Sequence, residues 1–294
     1  MFSRQSSVIL RRLSALTSMS CLLTATTASA SFLTFSVGGN SATSSIQSTV
    51  DSFRAALGGS NNGNNPGPLS SGRREINWDG GGATTATASG PVLTAFTNTR
   101  GSTFTTDGSG FLQTSPNDPA LTNINPSYST TFGAFSPQRI FTPVGSNITD
   151  VTFSVPGSNG ATPATVAGFG AVFSDVDLQN VTRLEFFDSA NNQIQSLNVL
   201  PGTTTSGSFS FLGAVAESGE RIARVRITTG NSDLGPSEAD GSRVDVVAMD
   251  DFIYSEPTTV STAVPEPSTS VLGGLAALGA AWCRLRRRSI GSAA

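Results

Sequence analysis

Histidine and lysine are absent from this chain of 294 residues. Without histidine the protein has no Ser-His-Asp triad, no Cys-His pair, no imidazole that titrates near neutral pH and no histidine ligand for zinc. All 17 basic residues are arginine, so a lysine Schiff base and the lysine of a P-loop are excluded as well. These absences remove most of the familiar nucleophilic and metal-hydrolase mechanisms.

Cysteine is nearly absent too, because the two cysteines, Cys21 and Cys283, lie close to the two ends of the chain. The long segment between them therefore has no thiol, no disulfide and no cysteine metal site. An exported chain that avoids cysteine suits an oxidising compartment. Its stability must come from packing, with bound ions as the other available source.

Charged residues are scarce, at 13%, and they are segregated along the chain. Seven of the arginines lie near the two ends, whereas the segment between them has ten arginines and 19 acidic residues, a net charge of −9. A polyanion would be repelled by this segment, so nucleic acid is not expected as a partner. Divalent cations are favoured instead.

The N-terminal segment has the order of a secretory signal peptide. Residues 1–12 are basic and free of acidic side chains, residues 13–25 are moderately apolar, and Ala28 and Ala30 give the small-x-small pattern that signal peptidase accepts. We therefore predict a signal peptide over residues 1–30, cleavage by signal peptidase, and a mature chain that begins at Ser31.

Short strand patterns separated by turn residues dominate the rest of the chain up to residue 262. Residues 44–57 predict one short helix, because apolar residues recur there at helical spacing. The clearest strand patterns lie at residues 151–155, 166–173, 181–187, 194–200, 208–212, 222–228 and 244–254. Short strands without long intervening helices predict an all-β fold, an antiparallel β-sandwich or jelly-roll ectodomain over residues 31–262.

Residues 263–294 form a tail with three parts in order: a Pro-Glu-Pro motif, an apolar stretch at residues 271–282, and a basic end. The motif is Val264, Pro265, Glu266 and Pro267, and the basic end contains Arg284, Arg286, Arg287 and Arg288. In all three parts the tail resembles the PEP-CTERM family of sorting domains. This resemblance implies recognition by an exosortase, an intermediate in the inner membrane, and transfer or release to the cell surface or an extracellular polysaccharide matrix.

The physical properties of the tail agree with this resemblance. The apolar stretch is shorter than the ~20 residues that span a bilayer, so it predicts a short, marginal transmembrane helix. The terminal arginines would hold that end in the cytoplasm. Pro265 and Pro267 would keep the preceding peptide extended and open to a membrane protease. A permanent membrane anchor is the alternative interpretation of the same pattern.

One loop has the densest set of functional side chains in the chain. Its members are Arg73, Arg74, Glu75, Asn77, Trp78 and Asp79. An exposed tryptophan among charged groups is typical of a site for a glycan or a surface partner, and we predict such a site here. The alternative is that Trp78 packs in the core and the charges solvate the edge of a loop.

Five aspartates are candidate ligands of a structural calcium ion: Asp175, Asp177, Asp188, Asp250 and Asp251. Calcium takes six to eight oxygen ligands from carboxylates, carbonyls and water, and one ion would offset part of the acidic charge. The segment from Met249 to Phe252 also resembles jelly-roll carbohydrate-binding modules in which a late aspartate holds a structural calcium. The alternative is that these aspartates are solvated turn residues. No organic cofactor is expected.

Three functions stay open for the ectodomain, of which binding of a glycan or a surface partner is the leading hypothesis. A glycan-active enzyme with paired carboxylates is the second, with Asp175 and Asp177, Glu185 and Asp188, or Asp250 and Asp251 as the pair. The third is a purely structural coat component. The composition favours a protein without catalytic activity.

Overall fold

A computed structural model describes residues 30–80, 86–204 and 206–259. The helices within these ranges are α1 (Ser44–Ala56), α2 (Pro119–Thr122) and α3 (Tyr128–Thr131). The strands in the first half are β1 (Phe32–Gly38), β2 (Arg73–Ile76), β3 (Thr87–Ser89), β4 (Val92–Leu93), β5 (Ser102–Thr105), β6 (Gly110–Thr114), β7 (Ile140–Val144) and β8 (Ile148–Phe153). The remaining strands are β9 (Ala164–Thr165), β10 (Gly168–Ser174), β11 (Arg183–Phe187), β12 (Gln193–Asn198), β13 (Phe209–Ala216), β14 (Arg224–Thr228), β15 (Ala248–Ser255) and β16 (Thr258–Thr259).

Two antiparallel sheets carry the fold. Sheet A has the strand order β1-β13-β10-β15-β7-β6-β3, with β2 also paired to β15, and sheet B has the order β12-β11-β14-β8-β5-β4. Their inner faces share one aromatic-rich hydrophobic core, to which Phe104 and Val151 of sheet B and Phe141 and Phe252 of sheet A belong. This arrangement confirms the predicted all-β antiparallel sandwich.

Helix α1 covers the outer face of sheet A. Its Phe53 packs against Phe211 of β13, with ring centroids 5.4 Å apart. Glycine is required beneath this ring, because a Cβ at either Gly170 or Gly213 would lie only 2.8 Å from Phe53. The helix thus buries the outer face of the central strands of sheet A. This is why its central strands read as nearly continuous apolar runs rather than as alternating patterns.

The sequence located the elements of the second half well. Residues 44–57 were expected to be helical and α1 occupies Ser44–Ala56, while each of the seven predicted strand segments overlaps an observed strand. Strands β1 to β7 were not predicted individually, since most are short and edged by serine, threonine and glycine. β3, for example, is held in the sheet by pairing with β6, where Thr87 lies opposite Gln113.

A β-bulge in β15 decides where two of the predicted site residues point. Asp250 and Asp251 together lie opposite the single residue Val172 of β10, because the pairing shifts register between Ala171 and Phe173. A bulge of this kind adds one residue and re-aims the neighbouring side chains. Both aspartates are buried, and their contacts are to the helical side of sheet A.

Candidate functional site

An open pocket lies where three connecting segments meet beyond the end of β10. Its volume is about 650 Å³. Seven hydroxyl side chains line it: Ser127, Thr130 and Thr131 at α3, Thr203, Thr204 and Ser206 from the β12–β13 loop, and Ser242 from the β14–β15 loop. The carboxylates of Asp177 and Asp240 also line it, and we call this the aspartate pocket.

Three carboxylates converge at this pocket. Asp175 and Asp177 follow directly after β10, and Asp240 comes from the β14–β15 loop. One carboxylate oxygen of each lies within 4.8 Å of the others, and we call these three residues the aspartate cluster. A fourth aspartate, Asp245, fixes the geometry by accepting the backbone N–H of Leu178 at 3.0 Å. If two of these carboxylates were ionised at a separation of 4.8 Å, they would repel each other by about 3 kcal/mol at an effective dielectric constant of about 20, before screening by solvent. The aspartate cluster is therefore unfavourable with all of its carboxylates charged and no cation.

Asp175 is the most constrained member of the aspartate cluster. Its side chain is fully buried, and its backbone has the left-handed φ of 70°, a conformation that aspartate tolerates better than most residues. Its Oδ1 accepts the N–H of Gly207 at 2.9 Å, whereas its Oδ2 has no hydrogen-bond partner among the described residues. Buried polar atoms are nearly always paired, so this unpaired oxygen requires an explanation.

The protonation of these aspartates is strongly perturbed. Burial raises the pKa of Asp175 to about 8, and the nearby charges of Asp240 and Asp177 act in the same direction. Burial likewise raises the pKa of Asp240 to about 7 and that of Asp245 to about 6. Repulsion from the nearby charge of Asp177 also raises the pKa of Asp240. The aspartate cluster therefore holds protons at neutral pH unless a cation replaces them.

The structure divides the five predicted calcium ligands. Asp175 and Asp177 meet in the aspartate cluster, together with Asp240, which the sequence did not single out. Asp188 lies elsewhere, in the β11–β12 turn, where its Oδ1 accepts the N–H groups of Ala190 and Asn192 at 2.9 and 2.8 Å. That is the role of an ordinary turn aspartate.

Asp250 and Asp251 belong to a second polar network, on the outer face of sheet A. The hydroxyl of Ser136 lies 2.8 Å from Oδ1 of Asp251, 3.1 Å from Oδ1 of Asp250 and 3.2 Å from Oδ2 of Asp79. Burial, and then repulsion from Asp251, raise the pKa of Asp250 well above its usual range. Arg54 also contacts Asp251, at 3.3 Å, so an arginine supplies a counter-charge in this network.

The predicted position of Trp78 on the surface is wrong. Its side chain is 2% exposed, its ring stacks on Phe141 with centroids 3.8 Å apart, and its indole N–H donates to the carbonyl of Asp250 at 2.9 Å. The physical reason is packing. β2 ends at Ile76, which is buried in the core, and just beyond the strand the ring of Trp78, at a left-handed φ of 65°, lies among Phe104, Phe141 and Phe252. In the sequence, the apolar residues Ile76 and Trp78 alternate with the polar residues Glu75 and Asn77. This alternation indicates that Trp78 is buried, but the neighbouring charged residues obscured it.

The other members of that loop also serve the fold. Arg74 is completely buried and makes a bidentate contact with Glu256 at 2.6 and 2.7 Å. Glu75 pairs with Arg73 and with Arg54 of α1, and the Oδ1 of Asp79 accepts the N–H of Arg139 at 2.8 Å. Asn77 alone among the six predicted residues is exposed. They form a structural network, and the packing interpretation of Trp78 is the one that the geometry supports.

Comparison with known proteins adds information about the tail. A family model for a PEP-CTERM protein-sorting motif matches residues 263–288. Residues 263–288 are a PEP-CTERM sorting motif. The comparison with curated proteins gives no match for the chain, and none of the solved structures matches it either.

The PEP-CTERM motif confirms the resemblance seen in the sequence. It directs the protein into the exosortase pathway and toward the cell surface. The tail, with the predicted helix at residues 271–282, lies outside the described residues, as do residues 1–29 of the predicted signal peptide. In the part of the chain that the structure describes, no helix is long and apolar enough to cross a membrane.

Proposed function

We propose that the ectodomain is a polysaccharide-binding component of the cell surface or extracellular matrix, delivered there by the PEP-CTERM motif. The observation that carries this proposal is the lining of the aspartate pocket, which is dominated by hydroxyl groups and carboxylates. Sugar hydroxyls act as donors and acceptors at once, so side-chain hydroxyls and carboxylates are suitable partners for them.

Two properties of the pocket limit the class of polysaccharide that it can bind. None of the described residues that line it is aromatic, so contact with a sugar relies on hydrogen bonds rather than on ring stacking. Each site then binds weakly, and a polymer that engages many copies of the protein gains by multivalency. The net charge of −9 on the ectodomain repels acidic polymers. A neutral polysaccharide is therefore favoured.

Retention on immobilised neutral polysaccharides tests the proposal. Thr203 and Thr204 are exposed in the aspartate pocket, and Thr203→Val/Thr204→Val removes two hydroxyls while keeping the side-chain volume. We expect this double variant to bind about tenfold more weakly than the wild type, since each lost hydrogen bond costs about 0.5–1.5 kcal/mol. Dissociation constants from a concentration series of the protein provide the measurement.

The matched control is Thr152→Val, which makes the same change at an exposed position of sheet B outside the pocket. It is expected to bind like the wild type. Equal weakening by both changes would contradict a role for the aspartate pocket. Release of soluble sugars would instead favour the carboxylate-based enzyme, and absence of retention on every polymer would favour a purely structural coat protein.

A second prediction concerns processing of the PEP-CTERM tail. Replacing Pro265, Glu266 and Pro267 with alanine removes the motif that the exosortase pathway reads, so we expect unprocessed protein to accumulate in the inner membrane. The wild-type protein recovered from the cell surface is expected to begin at Ser31 and to lack the arginines of residues 284–288. Intact-mass measurement after cell fractionation checks both expectations.

Pro126→Ala is a suitable control for this experiment, because that proline is exposed and lies outside the tail. It is expected to be processed like the wild type. A surface-exposed species that keeps residues 284–288 would contradict cleavage, and it would favour the permanent membrane anchor.

A further inference from the structure

We propose that Asp175, Asp177 and Asp240 bind one Ca²⁺ ion at the base of the aspartate pocket. The proposal stands independently of polysaccharide binding, because the ion would bind to a protein that retains no polymer. The ion would be held by carboxylates, whereas the test of polysaccharide binding changes only the hydroxyl groups of Thr203 and Thr204.

The spacing of the three carboxylates fits a single calcium ion. Calcium lies 2.3–2.6 Å from its oxygen ligands, so two ligands on opposite sides of one ion are separated by about 4.6–5.2 Å at most. One carboxylate oxygen from each of the three aspartates lies within 4.8 Å of the other two, a separation that a single ion can bridge. Magnesium, with ligands at about 2.0–2.1 Å, requires a tighter arrangement.

An independent observation at the same place also indicates a ligand. Oδ2 of Asp175 has no hydrogen-bond partner within the described part of the chain, although the side chain is completely buried. Its other oxygen is already held by Gly207, so the carboxylate is fixed in position. A buried carboxylate oxygen that is oriented and unpaired, next to two further carboxylates, has the properties of a metal ligand rather than of a turn residue.

Access and coordination number complete the case. Asp177 and Asp240 line a pocket of about 650 Å³, which gives an ion a route from solvent. Three carboxylates supply three to six oxygens, and water in the pocket can supply the rest of the six to eight that calcium prefers. Hard oxygen ligands without histidine or cysteine favour calcium over softer transition metals.

Thermal unfolding of the full-length protein with and without calcium tests this proposal, together with calorimetric titration of the metal-free protein with CaCl₂. A ligand bound only by the native state stabilises it by mass action, and at a hundredfold excess over the dissociation constant we expect Tm to rise by about 5–10 °C. The same concentration of MgCl₂ is expected to give a clearly smaller rise.

Asp175→Asn is the informative variant, because asparagine keeps the shape, tolerates the left-handed backbone and still accepts the N–H of Gly207. Asparagine is close in shape and polarity to the protonated carboxyl that the buried residue carries without calcium, so the Tm of this variant without calcium is expected to be close to that of the wild type. Its calcium affinity is expected to fall at least about 100-fold, since even changes beyond the direct ligands cost 10–100-fold. Asp240→Asn is expected to weaken calcium binding in the same way.

Asp107→Asn is the control, because Asp107 is exposed and lies outside the aspartate cluster. It is expected to keep the full response to calcium. Three outcomes would overturn the proposal: a wild-type protein that neither binds nor responds to calcium, an equal response to magnesium, or an Asp175→Asn protein with the wild-type calcium response. Since none of these measurements involves a polysaccharide, their failure is distinguishable from failure of the proposed function.

Discussion

Trp78→Ala is expected to lower the free energy of unfolding by about 3–5 kcal/mol, the usual cost of truncating a large buried aromatic side chain. The indole is 2% exposed and stacks on Phe141, and the rings of Phe96, Phe104 and Phe252 meet it edge-on at centroid distances of 5.1–5.4 Å. These contacts hold Trp78 at a left-handed φ of 65°, which is costly for a bulky residue. Denaturant unfolding followed by circular dichroism measures the loss.

Two control variants show whether the loss of stability in Trp78→Ala comes from the buried contacts of the indole ring. Trp78→Phe keeps an aromatic ring but leaves the carbonyl of Asp250 without its indole donor, so a smaller loss is expected. Val92→Ala truncates a side chain that is 56% exposed, and its effect is expected to stay within about 0.5 kcal/mol. A loss below about 1 kcal/mol for Trp78→Ala would contradict the core position of the ring.

The strands in the second half of the chain could be predicted because their apolar patterns and the turn residues between them match the burial and the strand ends in the structure. Turn residues such as Pro156 and Gly157 separate strands whose apolar residues alternate or run continuously. The strands β3 (Thr87–Ser89) and β4 (Val92–Leu93) carry no such signal, because they are too short to show an alternation. β3 is held by pairing with β6, where Thr87 lies opposite Gln113. Local propensity is a weak guide where tertiary pairing decides the structure.

The aspartate cluster could be predicted only in part, and the reason is again distance along the chain. Asp175 and Asp177 follow a clear strand, and their spacing of two residues suggested a shared face, although the strand ends at Ser174 and φ is positive at Asp175. Asp240 lies in the long β14–β15 loop, where nothing local distinguishes it from other acidic residues. The packing of that loop against the end of β10, through Asp245, brings it into the site.

The adjacent pair Asp250 and Asp251 shows a second reason why side-chain positions could not be predicted from the sequence. In a regular strand, neighbouring side chains point to opposite faces, so one of the two would be expected to enter the core. The bulge opposite Val172 changes this, and Asp251 reaches Arg54 on α1 while Asp250 accepts the N–H of Phe135. A bulge depends on how two strands match in register, which a single strand's sequence does not specify.

Glu256→Gln is expected to cost about 3–5 kcal/mol of unfolding free energy, because it leaves a buried arginine without its counter-charge. The side chain of Arg74 is 0% exposed and that of Glu256 is 3% exposed. Glu256 also accepts the N–H of Leu69 at 3.1 Å and a side-chain N–H of Asn62 at 2.8 Å, so it ties the 62–69 loop to the end of β15. Removing its charge weakens all of these contacts at once.

The matched comparison for this prediction is Glu185→Gln, which makes the same change in the ion pair with Arg183. There the arginine side chain is 38% exposed, so solvent replaces the lost partner and the expected cost is at most about 1 kcal/mol. Both variants are measured by denaturant unfolding at fixed pH and ionic strength. Replacing Arg74 and Glu256 together with methionine is expected to cost less than Glu256→Gln alone, because no unpaired charge then stays buried. Equal losses for Glu256→Gln and Glu185→Gln would mean that the Arg74 pair is open to water, contrary to its burial in the fold.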